Sequence, residues 1–538
     1  MTIPLYARAK KAFHQRWMHA QSNQRWKRLT SQVNQLSTEK GDGSAPVLFL
    51  NFSSRIQGMS QNAAYSFLTN QMLRAQGIPT IQFVCQAGMS RCTLGTNRDN
   101  ATQAPPCAKC IAQSRAAFSG LPTRWFSYHP DKALANLISK LSLDALCTLS
   151  YQEVPLGFWA TNTIRWVLRR HHLIEDEATL LLMRQYLLSA WNVVQQFTKL
   201  VEETNPRAVV VFNGMFFPEA AVRYVCLTKG IKVITHEVGM RPFTAFFTPG
   251  EATAYPMQIK PEFQLTPQMD ERLNAYLSER FQGNFSMAGI RFWPEMKGLD
   301  QSFLDKAAGF KQVVPVFTNV IFDTSQVHAN TLFSDMFAWL DCVKGFIQKH
   351  PETLFVIRAH PDEHRANKES RESVSDWVHR QSIDRFPNVV FVDSREFISS
   401  YDLIQRSHFV MMYNSTIGLE AALLGKAVLA AGKARFTQLV MAYLPNSVEA
   451  YEQKLAEMLC TEENSAPDEF RLNARRFLYY QLYCSSLPFD AFIKEDGVWA
   501  GYVTLKSIQP SMLFPENSET AQTLLNGILE DQPFEMPL

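Results

Sequence analysis

Apolar residues fall along this chain in two recurring patterns. Short unbroken runs bounded by turn residues read as buried strands, and longer stretches with apolar positions three and four apart read as amphipathic helices. Val47–Phe52 is the first run, followed by a polar loop, a helical stretch Gln61–Gln76 that Gly77 ends, and a second run Ile78–Val84. Strand, helix, strand is the start of a Rossmann-like unit. The alternation returns with the strand Ala208–Asn213, a helix opening at Pro218-Glu219, and the strand Ile231–Thr235. It begins afresh at Val313–Phe317, runs through the amphipathic stretch Phe333–Lys349 to the strand Thr353–Arg358, and ends in a compact unit, His408–Arg435. In that unit Phe409–Tyr413 reads as a strand, Ile417–Leu424 as a helix stopped by Gly425, and Ala427–Ala431 as a further strand. The pattern predicts an α/β protein of two Rossmann-like domains facing a cleft, with a basic helical extension in front. The expected division is 1–45 extension, 46–260 first domain, 261–309 connection, 310–465 second domain, and 466–538 helical return and tail.

Composition narrows the classes. The chain has 538 residues, 46% hydrophobic and 12% aromatic, enough for two sizeable cores. A net charge of +3 gives no global field for nucleic acid, so none is expected as a partner. The sequence shows no secretory pattern and no apolar run long enough to span a bilayer, which predicts a cytoplasmic protein. Before Glu39 there is no acidic residue, and Arg8, Lys10, Lys11, Arg16, Arg25, Lys27 and Arg28 alternate with Phe13, Trp17 and Trp26. Two readings stand for that stretch: peripheral contact with an anionic membrane at its inner face, or a packed amphipathic helix.

The chemistry gathers at strand ends. Thr353–Arg358 stops at Arg358, His360 and Pro361, and the carboxyl edge of such a sheet is where ligands bind. Arg358 suits a phosphate, and His360 can donate to an oxyanion or move a proton. Ser415 and Thr416 open a helix whose first N–H groups favour an anion, and Glu420, one turn in, can accept from a sugar diol. Glu237, at the end of Ile231–Thr235 and followed by Gly239, is the leading candidate for a general base, with Glu219 and Asp323 in reserve. Arg165 and Arg169, one turn apart, read first as a solvated pair. Nine cysteines, scattered and odd in number, read as reduced thiols. Cys85, Cys92, Cys107 and Cys110 could close around a metal, but their irregular gaps favour ordinary thiols, and no metal ligand is assigned.

The pairing of I-R-A-H-P (Ile357–Pro361) with N-S-T-I-G-L-E-A-A-L-L-G-K-A-V (Asn414–Val428) resembles the bacterial capsule polysaccharide biosynthesis protein family, which includes Kdo-transferring enzymes. The resemblance is strongest from about Val313 to Phe436. Glu420–Val428 is also similar to the E-A-x-x-x-G-x-P-V segment of many nucleotide-sugar transferases, although Ala427 replaces the usual Pro. Met412, eight residues before Glu420, stands where retaining enzymes of that wider group carry a Glu, so the retaining E-x7-E pattern is not supported. The resemblance implies a glycosyltransferase-B-like fold and no cofactor. It implies metal-independent transfer from a nucleotide-sugar donor, CMP-Kdo or a similar acid sugar, to a polysaccharide or glycolipid acceptor. The donor site would then hold phosphate or sugar carboxylate at Arg358 and His360, phosphate at Ser415 and Thr416, and ribose at Glu420. It also implies that Asp468–Tyr483 folds back across the first domain. The alternatives are a transferase of polyol phosphate from a CDP-activated donor and a noncatalytic glycan-assembly protein.

Overall fold

The computed structural model describes residues 5–37, 44–52, 55–56, 58–281, 286–287, 290–291, 297–365, 368–499 and 501–537, with 5–12, 286–287 and 290–291 described by backbone alone. The side chains of Arg8, Lys10 and Lys11 therefore lie outside the described residues. Two sheets carry the fold. The first is built from β1 (Val47–Asn51), β2 (Thr80–Cys85), β3 (Thr123–Phe126), β4 (Ala208–Phe212), β5 (Lys232–Val238) and β6 (Thr244–Thr248). The second is built from β7 (Gln312–Phe317), β8 (Thr353–Arg358), β9 (Val389–Val392), β10 (Val410–Met412) and β11 (Val428–Ala430). A short strand late in the chain, β12 (Leu487–Pro488), rejoins the first sheet antiparallel to β6.

The order in space is β3-β2-β1-β4-β5 in the first sheet, extended by β6 and β12, and β9-β8-β7-β10-β11 in the second. These are one arrangement used twice: three strands wind one way from the first, then the fourth starts on its other side. The two Rossmann-like domains face a cleft, a glycosyltransferase-B-like architecture.

Strand composition explains why both faces of each sheet are covered. Parallel strands joined by helical crossovers are buried on both sides, so they read as continuous Val, Ile, Leu and Phe. In β1, Leu48 and Leu50 join Val209 and Val211 of β4 in a core beneath the helices Leu156–Leu168 and Glu177–Thr204. The alternate residues, Val47, Phe49, Ala208 and Val210, face the other core, which the helix Gln61–Ala75 and the last segment of the chain cover. The second sheet divides likewise, with Val314, Val316 and Ile357 on one face and Phe317, Val410 and Met412 on the other.

Elements begin where a side chain satisfies the free amides. Ser60 Oγ accepts from Ala63 N (3.2 Å) at the start of Gln61–Ala75. Asp335 Oδ1 accepts from Phe337 N (2.7 Å) and Ala338 N (3.1 Å), so the helix expected from Phe333 starts at Met336.

The basic amino-terminal stretch is the helix Leu5–Ser37. Its second half is packed, with Trp26, Leu29 and Val33 buried in the first domain, while Phe13 (73% exposed) and Trp17 (48%) face outward. Among the described residues no helix is long and apolar enough to cross a membrane. The helix Asp468–Tyr479 rests on the second domain, against Ile417–Leu423, and the return to the first sheet is made after it by β12 and the helix Glu519–Leu529.

Candidate active site

In an open α/β sheet, ligands bind beyond the carboxyl ends of the strands, where the winding direction changes. Here that point lies between β1 and β4 in one domain and between β7 and β10 in the other. A cavity of about 560 Å³ opens beside the first switch point and reaches across to the second domain. Its first-domain wall includes Asn51, Asn62, Asn213, Glu219, Glu237 and Tyr255, and its second-domain wall includes Asp323, Thr324, Ser325, Lys368 and Arg435.

Glu237 lies near the end of β5, which runs three residues past the expected Thr235 because β6 pairs with it, Glu237 opposite Phe246. Three donors fix its carboxylate. Asn62 Nδ2 donates to Oε1 (3.1 Å), Asn213 Nδ2 to Oε2 (2.9 Å), and Val238 N to Oε1 (2.9 Å). Burial pushes the pKa of Glu237 above the usual carboxylate range, while those donors favour the ionised form and limit the rise. Asn213 has its own backbone reason to be Asn. It adopts left-handed geometry (φ 60°), and its Oδ1 accepts from Met215 N (3.1 Å), a local bond that an amide side chain makes easily.

Glu219 enters the same cavity from the first turn of the helix Phe217–Thr228. Burial raises its pKa to about 8, so it carries its proton at neutral pH. Its Oε2 and the Oδ1 of Asn62 are buried and have no hydrogen-bond partner among the described residues. Unsatisfied buried polar atoms facing one cavity are places where a hydroxyl-bearing ligand gains bonds that the protein does not supply.

The structure thus brings Glu237, Glu219 and Asp323 onto one cavity, and it places the other singled-out residues differently. Arg358 is buried and donates from Nη1 to Asp393 O (2.9 Å), away from the cavity walls. Burial lowers its pKa to about 10. His360 Nδ1 accepts from Asp362 N (3.2 Å), which leaves Nε2 to donate in the neutral ring. Burial lowers the His360 pKa, against the carboxylates of Asp362 and Asp323. Ser415 Oγ accepts from Ile417 N (3.4 Å), and Thr416 caps the helix Ile417–Leu423 without a side-chain bond. Asn414, just before them, accepts from Asn319 Nδ2 (2.7 Å) and donates to Ser325 Oγ (3.4 Å).

Glu420 is buried in an ion pair with Arg280, whose Nε (3.0 Å) and Nη2 both donate to Oε1. Arg280 comes from the helix Pro267–Phe281 and also donates to Tyr276 Oη (2.9 Å). A ribose at Glu420 would have to share the carboxylate with that guanidinium. Arg165 is likewise tied, donating from Nε to His171 O (2.8 Å), and Arg169 stacks over Trp166 at 4.1 Å.

Sequence reasoning missed Asn62, Asn213, Tyr255, Lys368 and Arg435 as cavity residues. Asn213-Gly214 directly after the V-V-V-F strand was a readable signal, since an Asn-Gly pair there marks a turn at a strand's carboxyl end. Arg435, the last residue of the compact unit, lies 4.2 Å from the Tyr255 ring centroid, a contact between domains that the sequence does not show.

Two sheets wound alike about a shared cavity define the class of protein. Residues 295–454 match the family model described as capsule polysaccharide biosynthesis protein, so the resemblance to that family holds over this segment. Protein FixF of Sinorhizobium fredii (strain NBRC 101917 / NGR234) is 30% identical over 227 residues, 42% of this chain and 48% of FixF. The chain thus spans about half the length of the curated relative it matches. Among solved structures, the beta Kdo 2,4 transferase of Thermosulfurimonas dismutans KpsC is 12% identical, with 57% of this chain and 87% of that chain covered at a TM-score of 0.35. UDP-GlcNAc 2-epimerase from Neisseria meningitidis, bound to UDP-GlcNAc, is 12% identical over 81% of this chain and 98% of that one, with a TM-score of 0.25.

Proposed function

We propose that the protein is a glycosyltransferase of capsule or other cell-surface glycan assembly, which moves a sugar from a nucleotide-sugar donor to a polysaccharide or glycolipid acceptor. The observation that carries this reading is a cavity of about 560 Å³ lined by both domains, with Glu237 oriented on one wall and Lys368 and Arg435 on the other. Glu237, held by two neutral amides and a backbone N–H, is placed to take the proton of an acceptor hydroxyl. Protonated Glu219 and the free Oδ1 of Asn62 would hold further acceptor hydroxyls. Lys368 and Arg435 would meet the phosphate of the departing nucleotide, fixed positive charges that need no reorganisation as negative charge develops. His360, through Nε2–H, and the Ser415–Thr416 turn supply neutral donors nearer the second sheet. The donor we propose is an acid sugar of the CMP-Kdo kind, as the sequence resemblance implies, and the match over 295–454 supports a place in capsule polysaccharide biosynthesis.

A thermal-shift screen against CMP, CDP, UDP and GDP tests the donor half of this reading. A nucleotide present at a hundred times its Kd should stabilise the native state by about 2.7 kcal/mol. A chain whose unfolding none of the four shifts, even at millimolar concentration, is not a nucleotide-sugar transferase.

A further inference from the structure

Between β2 and the helix Cys107–Ala117 the chain runs through residues 86–106 without a regular element. Loops beyond roughly 12–15 residues with no secondary structure are uncommon in compact domains and are usually functional. Arg91 gathers part of this loop, donating from Nε to Ala101 O (3.3 Å) and from Nη2 to Thr102 O (3.0 Å). Four cysteines sit along it: Cys85 as the last residue of β2, Cys92 within the loop, and Cys107 and Cys110 on the first turn of the helix that follows. All four face the interdomain cavity.

Their backbone surroundings are alike. In both Cys85-Gln-Ala-Gly88 and Cys92-Thr-Leu-Gly95 the glycine N–H donates to the cysteine sulfur three residues before it, at 3.2 Å in each. Neither glycine has room for a side chain: a Cβ on Gly88 would lie 2.2 Å from Phe126, and one on Gly95 would lie 2.8 Å from Pro105 and 3.0 Å from Cys92 Sγ. Cys107 and Cys110 occupy the end of a helix whose free amides favour negative charge. Amides aimed at sulfur stabilise a thiolate far more than a thiol. Burial, together with the mutual influence of the four sulfurs, instead pushes Cys85 and Cys92 up to about 12. A cation placed among the sulfurs would offset the cost that burial sets on negative charge at Cys85 and Cys92.

We propose that Cys85, Cys92, Cys107 and Cys110 are the four thiolate ligands of a soft-metal centre that pins this loop to the cavity wall. A zinc ion and an iron–sulfur cluster share that ligand chemistry. Among the described residues, the group of three or more metal-binding side chains with ligand atoms within 4.8 Å of one another is His171, His172 and Asp335, so the four sulfurs stand wider than that. Zn–S bonds of about 2.3 Å in a tetrahedron require sulfurs roughly 3.8 Å apart, so zinc draws the cysteines inward, whereas a four-iron cluster accepts them spread. Each cysteine that ligates releases one proton to solvent, so occupancy falls as pH falls.

The test is the metal and acid-labile sulfide content of the full chain purified without oxygen. Near one zinc per chain without sulfide, or iron with equimolar sulfide and visible absorption, each supports the centre and says which it is. The Cys107→Ser/Cys110→Ser and Cys92→Ser variants should each lose at least tenfold in metal content, and the exposed Cys460→Ser should lose none. Should those variants fail to fold, chelator-treated wild type gives the second reading: protease cleavage within 86–106 should speed up and return to its former rate when zinc, or iron with sulfide, is restored. A metal-free native chain, a Cys107–Cys110 disulfide in the intact mass, or metal retained in the cysteine variants would overturn the proposal.

Discussion

The two domains repeat more than a strand order. After the fourth strand of each comes an asparagine, Asn213 or Asn414, and then a helix with a glutamate in its first turn, Glu219 or Glu420. The two repeats then part company. Asn213 turns its amide to Glu237, and Glu219 keeps a buried oxygen without a partner beside the cavity. Asn414 pairs with Asn319 and Ser325, and Glu420 is closed off by Arg280. One local pattern therefore serves a polar, unsatisfied pocket in the first domain and a satisfied polar core in the second. The difference lies in what distant segments bring. β6 and Asn62 complete the first site around Glu237, whereas the helix Pro267–Phe281 carries a cation into the second.

The largest expected effect separates chemistry from scaffold. Glu237→Gln keeps the shape but leaves one acceptor oxygen where the carboxylate has two, and it cannot take a proton, so turnover should fall about 10²–10⁴-fold. Nucleotide affinity by calorimetry and the thermal transition should stay near wild type. An unchanged rate would move the base to Glu219 or Asp323 on the same cavity.

The next effect inverts that result. Glu420→Gln takes the carboxylate away from the buried Arg280 guanidinium, and breaking a buried pair in this way costs about 3–5 kcal/mol. Burial is the largest influence on Arg280 and lowers its pKa, yet Glu420 with Tyr276 and Tyr401 raises it overall, so the cation persists. Glu219→Gln should cost little. Glu219 has a folded pKa of about 8, above its unfolded value, so the native state keeps a proton that the unfolded chain releases. Native stability falls as pH rises through that interval, and Glu219→Gln should become more stable than wild type across it. Equal destabilisation by the two substitutions, measured by urea unfolding at neutral pH, would erase the contrast between the domains.

Much of this was legible where the information is local. The V-L-F-L, A-V-V-V-F and T-L-F-V-I-R runs have one way to be buried, on both faces of a parallel sheet, and they mark the strands directly. A carboxylate at the end of such a run faces the crevice, which made Glu237 readable together with Glu219 and Asp323. The ion pair of Glu420 was not legible, because Arg280 lies 140 positions away in a segment that reads only as polar and helical. β6 was also missed: T-A-F-F-T pairs antiparallel with β5, and only that pairing extends β5 as far as Glu237. The cysteine gaps looked irregular because sequence distance across a folded loop says little about which sulfurs face one cavity.

The smallest expected effect concerns what holds the two domains in register. His172, from the first domain, sits between two carboxylates of the second, Asp335 (Nε2–Oδ2 3.4 Å) and Glu372 (Nδ1–Oε1 2.5 Å). Glu372 also accepts from the backbone of His171 (3.0 Å) and His172 (3.1 Å). The bonds to Asp335 and then Glu372 raise the His172 pKa to about 10, against burial. Nearby Arg165 opposes a second cation, and His171, lowered to about 4 chiefly by burial, stays neutral. The folded pKa exceeds the unfolded one, so this contribution is full below about pH 6.5 and is lost as pH rises toward about 10. The ring is 57% exposed, and after screening its worth is roughly 0.5–1 kcal/mol. Asp335 and Glu372 have depressed pKa values, held down by His172 and backbone N–H groups, so their share is lost at the acid end instead. Between about pH 6 and about pH 9.5 the first thermal transition of wild type should fall further than that of His172→Gln, while the Glu420–Arg280 pair contributes equally to both. Parallel pH profiles for the two proteins would mean that the His172 pair contributes nothing measurable to holding the halves together.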